Sequence, residues 1–390
     1  MTEATSPPNQ PTKVRRGLGI QSKLLAMLLG VSLISALVIG IVGYISGRES
    51  LRQAALDRMT SLRTMRVAEI ENAMDSLRTG VELDSRNASA VEGAAAFIAG
   101  FDALKSATIT QAQQAKLDAF YRDSFVPALE ERAQRDYDPA AFVPATPAGR
   151  YLQAWYTAPR GYDDYDAGLA LHDAGDGSAW TKANAKSGPY FTGLVDTLGY
   201  ADVLVLNKSA DVVYAAYKSV DLGVSMHEEP YTQSVLTKAF DEVMRNGSLD
   251  EVIITDFERY LPSLNVPTAW VISPIGTATN IEGALAVQVP VDQINAVMTG
   301  DGQWVAQGLG QTGEVYLAGP DRTMRSVSRE LLEDPEAYKR DVIANGTPVG
   351  NDSEALQSAG GAIGFVVGSL ALDLLQTPYV VVPIFVLLSL

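Results

Sequence analysis

The residues from Leu24 to Ile45, LLAMLLGVSLISALVIGIVGYI, form a 22-residue run with no Asp, Glu, Lys or Arg. At a helical rise of about 1.5 Å per residue this run is about 33 Å long, enough to cross a hydrocarbon core of about 30 Å. A secretory leader carries a shorter apolar region of about 7–15 residues and ends in a small-residue cleavage loop. This run is longer and continues into helix-forming sequence, so a retained transmembrane helix is expected. Lys13, Arg15, Arg16 and Lys23 precede it, whereas Arg48 and Arg52 follow beside Glu49. That basic excess predicts a cytoplasmic N-terminus, with residues 48–358 outside. Ser32, Ala36 and Gly40 recur every four residues, and Gly43 and Gly47 repeat the spacing. Small residues so placed let two helix backbones approach, which predicts a homodimer contact in the bilayer; ordinary glycine tolerance in membrane helices gives the same pattern.

Beyond the span the chain reads as a stalk. Residues 48–79 lack proline and are rich in Leu, Ala, Arg, Met and Glu. Ala55, Met59, Leu62, Met65, Ile70, Ala73 and Leu77 make an apolar stripe near helical spacing, with a skip around Arg66 and Glu69, and Gly80 is expected to end or kink the helix. Further helical segments follow over 86–135. From about residue 198 the period changes. Ala201–Leu206, Val212–Tyr217, Val252–Thr255, Thr268–Ser273 and Ala284–Val289 read as strands, and Tyr231–Arg245 as a helix closed by Asn246-Gly247. Two strands, a helix and three strands predict a five-stranded antiparallel, PAS-like sheet with helices on one face.

The fold class expected is thus α+β. Its parts are a cytoplasmic tail (1–23), a transmembrane helix (24–45), stalk and leading helices (46–197) and a membrane-distal PAS-like unit (198–305). A faint repeat pairs DVLVLNKSADVVYAA, from Asp202, with EVYLAGPDRTMRSVS, from Glu314. It predicts a partial second unit over 306–350, its strands at Glu314–Ala318 and Thr323–Val327, before an apolar tail (351–390). That tail reads as a membrane-associated segment or as a truncated end that does not fold with the rest.

Composition excludes several functions. With 46 acidic against 30 basic residues the net charge is −16, a poor match to nucleic-acid phosphates. The absence of cysteine removes disulfides, thiolate metal sites and cysteine nucleophiles. His172 and His227 lack metal-ligand spacing, and no P-loop, GxSxG, HExxH or dinucleotide glycine run occurs. No metal or cofactor is expected, and no catalytic domain.

Several segments together resemble one family: the anchor IQSKLLAMLLGVSLISALVIGIVGYISGRESLR, then HDAGDGSAW, GYADVLVLNKSADVVYAAYKSVDLG, ITDFERYLPSLNVPTAW, ALAVQVPVDQINAVMT and GQTGEVYLAGPDRTMRSVSRELLEDPEAYKRDVI. It is the double-Cache sensor region of bacterial, especially actinobacterial, membrane-bound adenylate/guanylate cyclases, related to chemoreceptor and sensor-kinase Cache regions. The resemblance covers about residues 18–348. It implies an extracytoplasmic small-molecule-sensing module of a cell-membrane receptor, with a ligand site in the distal unit. In that family more strands complete the second Cache domain, and a second membrane helix, a HAMP linker and a class III cyclase domain follow; none is recognisable in this chain. The alternatives are an output-less decoy that dimerises with intact receptors, and the sensor region of a chemoreceptor or histidine kinase.

Within the sheet Tyr200, Asp202, Tyr214, Lys218, Asp256 and Trp270 are the candidate ligand residues, polar or aromatic and on or beside strands. Lys218 would suit an anion and Asp256 a cation; otherwise Lys218 reads as a solvated strand end and Asp256 as a turn or cap. Asp173 to Ser178 has the Asp/Gly alternation of a calcium loop without its later Glu, and reads as a turn. Residues 151–190 are rich in aromatics and acids, a composition that walls a pocket or packs loops onto a sheet. YLQAWY resembles an amino-acid-binding signature of other double-Cache sensors but has Gln153 and Ala154 where that signature places an Arg before Trp-Tyr.

Overall fold

A computed structural model describes residues 19–311, 313–319, 324–344 and 380–384. Most of the expected cytoplasmic tail and of the 351–390 tail lie outside the described residues. The chain divides into two units, Met1–Leu62 and Arg63–Leu390, and helix α1 (Ile20–Arg86) contributes to both. In the first unit α1 carries Leu24–Ile45, whose large apolar side chains are all exposed. Among the described residues α1 alone is long and apolar enough to cross a membrane. A contiguous exposed apolar surface of this kind is unusual on a soluble protein and marks contact with lipid or protein.

In the second unit α1 buries Arg66, Ile70, Leu77, Val81 and Ser85, one face at helical spacing. The expected stripe is partly displaced: Met65 is exposed and Ala73 half-buried. Gly80 neither ends nor interrupts α1. A Cβ there would stand 2.8 Å from the Tyr200 hydroxyl, so this glycine serves close approach rather than termination. Asn87 then caps α2 (Ala88–Ala103), its side chain accepting from the Ser89 amide.

Next come α3 (Gln111–Phe120), a π-helical turn at Tyr121–Phe125, and α4 (Val126–Ala133). A second π-helical turn, Gln153–Thr157, extends α5 (Pro147–Leu152). Then follow α6 (Tyr165–Ala170) and α7 (Ala179–Leu198), the latter ended by Gly199 at φ 70°. The strands are β1 (Asp202–Asn207), β2 (Val212–Ala215), β3 (Ile253–Ile254), β4 (Glu258–Tyr260), β5 (Val266–Thr268), β6 (Trp270–Thr277) and β7 (Asn280–Gln288). Helix α8 (Val235–Asn246) stands between β2 and β3, capped by Ser234 and closed by Gly247. It begins four residues later than expected, because Ser234 takes the N-cap.

Five strands form one antiparallel sheet in the order β2-β1-β7-β6-β3, and β4 and β5 pair separately. All six residues of β1 are buried. Side chains alternate between faces along a strand, so both faces are covered there rather than one as expected. Helices α2 and α7 pack on the sheet, and α8 packs on β6 and β7. The core includes Phe97, Phe191, Tyr214 and Trp180, whose indole donates to the Val213 carbonyl at 2.8 Å.

Helix α9 (Val291–Thr299) leads to β8 (Glu314–Ala318), then to α10 (Arg329–Glu333) and α11 (Pro335–Ala344). The partner of β8 is β9 (Val380–Ile384), from the tail expected to stay apart. An unpaired strand edge offers free N–H and C=O groups, and the β-branched run VVVPI suits them. The segment expected as its hairpin partner holds β8 by single contacts: the Arg325 amide donates to the Leu317 carbonyl at 2.7 Å, and the Leu317 amide to Ser326 Oγ at 2.8 Å.

Candidate functional site

The register of the sheet places Asp202, at the start of β1, opposite Gln288, at the end of β7. Beyond this sheet end lies a cavity of about 260 Å³. Asp202, Asp221, Tyr165, Tyr217, Arg132 and Gln288 are among its lining groups, with residues of the turn joining β4 and β5.

The segment after β2 carries Tyr217 and Asp221, and side chains from the α5 region hold its backbone. Gln153 Nε2 donates to the carbonyls of Val220 at 2.7 Å and Leu222 at 3.0 Å, and Gln153 Oε1 accepts from the Tyr121 hydroxyl. Thr157 Oγ1 donates to the Lys218 carbonyl at 2.9 Å, and Arg160 Nη2 to the Tyr217 carbonyl at 2.7 Å. The two π-helical turns carry Tyr121 and Gln153, and Gln153 links the Tyr121 hydroxyl to the loop backbone. Gly149, on α5, meets Gly223 so closely that a Cβ would lie 2.2 Å from the Gly223 carbonyl oxygen. A buried loop must satisfy its backbone groups internally, and these donors do so.

The two carboxylates are nearly inaccessible, 5% for Asp202 and 2% for Asp221. Asp202 Oδ1 accepts from the Val203 amide at 2.7 Å. Asp221 Oδ2 accepts from the Tyr260 hydroxyl at 3.2 Å. Burial pushes Asp221 up to about 6, against hydrogen bonds from the Tyr260 hydroxyl and from the backbone amides of Asp221 and Leu222. Burial also holds Asp202 well above the usual carboxylate range, and the neighbouring Asp221 charge adds to this. The Tyr165 and Tyr217 rings meet edge to face, 5.1 Å between centroids.

Of the residues singled out from the sequence, Asp202 lines this cavity and Lys218 lies behind its wall. Lys218 is not a solvated strand end: it is fully buried at φ 50°, its Nζ donates to the Ala216 carbonyl at 2.9 Å, and it stands 5.1 Å from the Tyr214 ring centroid. Burial pulls its ammonium down to about 7, partly offset by Asp202. The other four lie elsewhere. Tyr214 and Trp270 are core residues, Trp270 against Tyr260. Tyr200 points to α1, its hydroxyl 3.3 Å from Asp84 Oδ2. Asp256 is paired in two contacts of 2.8 Å with Arg325.

Asp173 to Ser178 forms a turn in which Asp173 accepts from the Gly175 amide and Ser178 caps α7. No cluster of three or more His, Asp or Glu able to hold a metal occurs among the described residues. Ser32, Ala36 and Gly40 lie exposed on α1. Sequence reasoning passed over Asp221, Tyr217, Thr157 and Arg160. The available signal was a polar set at helical spacing, Gln153, Thr157 and Arg160, within an aromatic stretch.

No family model matches the chain, and no curated protein matches it. Among solved structures it is similar to the ligand-binding domain of a Campylobacter jejuni chemoreceptor in complex with 4-methylisoleucine, at 12% identity over 58% of this chain and 75% of that one, with a TM-score of 0.28. It is also similar to the sensor domain of a V. cholerae histidine kinase, at 13% identity over 59% of this chain and 72% of that one, with a TM-score of 0.27. A third is the ligand-binding domain of a Pseudomonas fluorescens chemoreceptor in complex with L-isoleucine, at 8% identity and a TM-score of 0.24. The match covers 34% of this chain and spans only 47% of that domain's length. Likenesses of this size assign neither fold nor ligand, and the functional reading rests on the cavity and the apolar helix.

Proposed function

We propose that the chain is the extracytoplasmic small-molecule-sensing module of a membrane signalling receptor, anchored by Leu24–Ile45 with its N-terminus in the cytoplasm. It performs no catalysis itself. In a full-length receptor of the family that the sequence resembles, the output is cyclic-nucleotide synthesis by a class III cyclase. The observation that carries the sensing role is the cavity at the sheet end, whose lining includes the buried carboxylates Asp202 and Asp221. A carboxylate buried at a cavity wall is costly to keep charged, and a ligand that donates to it offsets part of that cost.

A signal leaves such a site through differential affinity for two arrangements of the fold. Tyr200, two residues before Asp202, reaches Asp84 on α1, and Ser273 on β6 meets Ser85 on α1 at 3.1 Å. A shift of the sheet end therefore bears on α1 directly. The test is a metabolite screen by melting temperature on the full chain in detergent, because a ligand that binds only the folded state raises its stability. The reading expects at least one small molecule to raise the melting temperature, and Ser263→Trp, at the cavity wall, to abolish the rise. A library that leaves the melting temperature unmoved contradicts it.

A further inference from the structure

We infer that residues 324–328 receive the movements of the cavity wall: the two segments that leave that wall, the β4–β5 hairpin and β7 with α9, both attach to them, and they in turn hold β8. This rests on the cavity being the sensor's ligand site. In the hairpin, Pro262, Ser263 and Val266 line the cavity, and Tyr260 donates to Asp221 at 3.2 Å. Asp256 stands two residues before β4. Its Oδ1 accepts from Arg325 Nε and its Oδ2 from Arg325 Nη2, each at 2.8 Å. Arg325 is only 3% exposed. A planar guanidinium grips a carboxylate in one geometry, and parting the two would uncover a buried charge. A displacement of Asp256 therefore carries Arg325 with it. Thr255, the residue before Asp256, is pinned to Trp270 of β6: its amide donates to the Trp270 carbonyl, and its Oγ1 accepts from the Trp270 amide, both at 2.9 Å. A hairpin with such a fixed base tilts when its turn is pushed, and Asp256 lies beside that base.

The second attachment comes from the other side of the cavity. Gln288, the last residue of β7, lines the cavity, and α9 begins three residues later. On α9, Asn295 Oδ1 accepts from the Val327 amide at 2.8 Å. Residues 324–328 are bonded to β8 near both of its ends. Arg325 and Ser326 hold Leu317, and the Ser328 hydroxyl donates to Glu314 at 2.8 Å. Coupling travels through contiguous bonded elements of this kind, provided that they shift together. Asp256, a ligand candidate from the sequence, is thus a positioning residue that acts through Arg325.

Hydrogen–deuterium exchange of the full chain in detergent tests this without a ligand. Ser263→Trp fills the cavity from the hairpin turn and stands in for an occupant. It is expected to change amide exchange over 324–328 by about threefold or more. Asp256→Asn keeps the shape of the side chain and removes its charge, and Asn295→Ala removes the second acceptor. Each is expected to speed exchange over 324–328 by about threefold or more, while unchanged exchange in β1 shows that the sheet is folded. With both present, Ser263→Trp should no longer alter 324–328. If that pair of changes already frees the segment completely, the comparison is made in each single variant, where the response to Ser263→Trp should be reduced. A static brace would also protect 324–328, but its effect would combine independently with that of Ser263→Trp. Exchange over 324–328 unaltered by Ser263→Trp, or altered equally with and without Asp256 and Asn295, overturns the inference. A metabolite that raises the melting temperature and leaves 324–328 unaltered keeps the sensing role and overturns the coupling. A response to Ser263→Trp that needs Asp256 and Asn295, in a protein that no metabolite stabilises, keeps the coupling and removes the sensing role.

Discussion

Asp221 is held where its charge is least welcome, and this has a consequence for stability. Its folded pKa of about 6 stands above the usual 3.8, because burial penalises the carboxylate. Between those values the unfolded chain gives up this proton first, so the group's contribution to stability falls as pH rises from 3.8 to about 6. Asp202 acts in the same direction. Lys218 acts oppositely: its pKa falls from 10.5 to about 7, so its contribution rises with pH across that window. Asp221→Asn should therefore stabilise the ligand-free protein at pH 8 by about 1–3 kcal/mol and leave it nearly unchanged at pH 4. Urea unfolding at the two pH values checks this; a destabilised variant at pH 8 would mean that the charge is already compensated. Gln153→Leu should cost about 2–5 kcal/mol by the same measurement, since it strands two buried carbonyls and the Tyr121 hydroxyl. Asp202 was legible as a candidate because it opens a strand. Asp221 and Gln153 were not, because their importance comes from burial and from contacts distant in the chain, 39 residues between Asp221 and Tyr260 and 67 between Gln153 and Val220.

The elements of the sheet were legible to within a few residues. Val, Ile and Leu dominate these strands, and turn residues separate them. Burial of both faces was not legible, because a short apolar run reads alike whether one face or two are covered. Gly80 was misread for a related reason: glycine terminates helices often, and the Tyr200 side chain that requires it here comes from 120 residues away. Where α1 meets the sheet, Asp84 is the shared acceptor of Tyr190 and Tyr200, and burial raises its carboxyl against those hydrogen bonds. Gly80→Ala should lower the melting temperature by a few degrees, through overlap of the new methyl group with the Tyr200 hydroxyl. Tyr200→Phe removes the overlapping atom, so the double variant should be more stable than additivity of the single changes allows. Strict additivity would show that the two residues do not meet.

For the whole molecule, the exposed apolar run of α1 decides where the protein resides, and the sensing role depends on the side of the membrane reached by residues after it. If two copies pair through the small-residue face of the span, Gly40→Ile places a branched side chain on it and weakens crosslinking through cysteines introduced after the span; unchanged crosslinking would mean that the small-residue face is not an interface. The central claim, a sensor outside the membrane, is tested most directly by paired reporter fusions at residues 10 and 150. The account predicts an active periplasmic-type phosphatase at 150 and a fluorescent cytoplasmic reporter at 10. A reporter at 150 active only in the cytoplasm would contradict it.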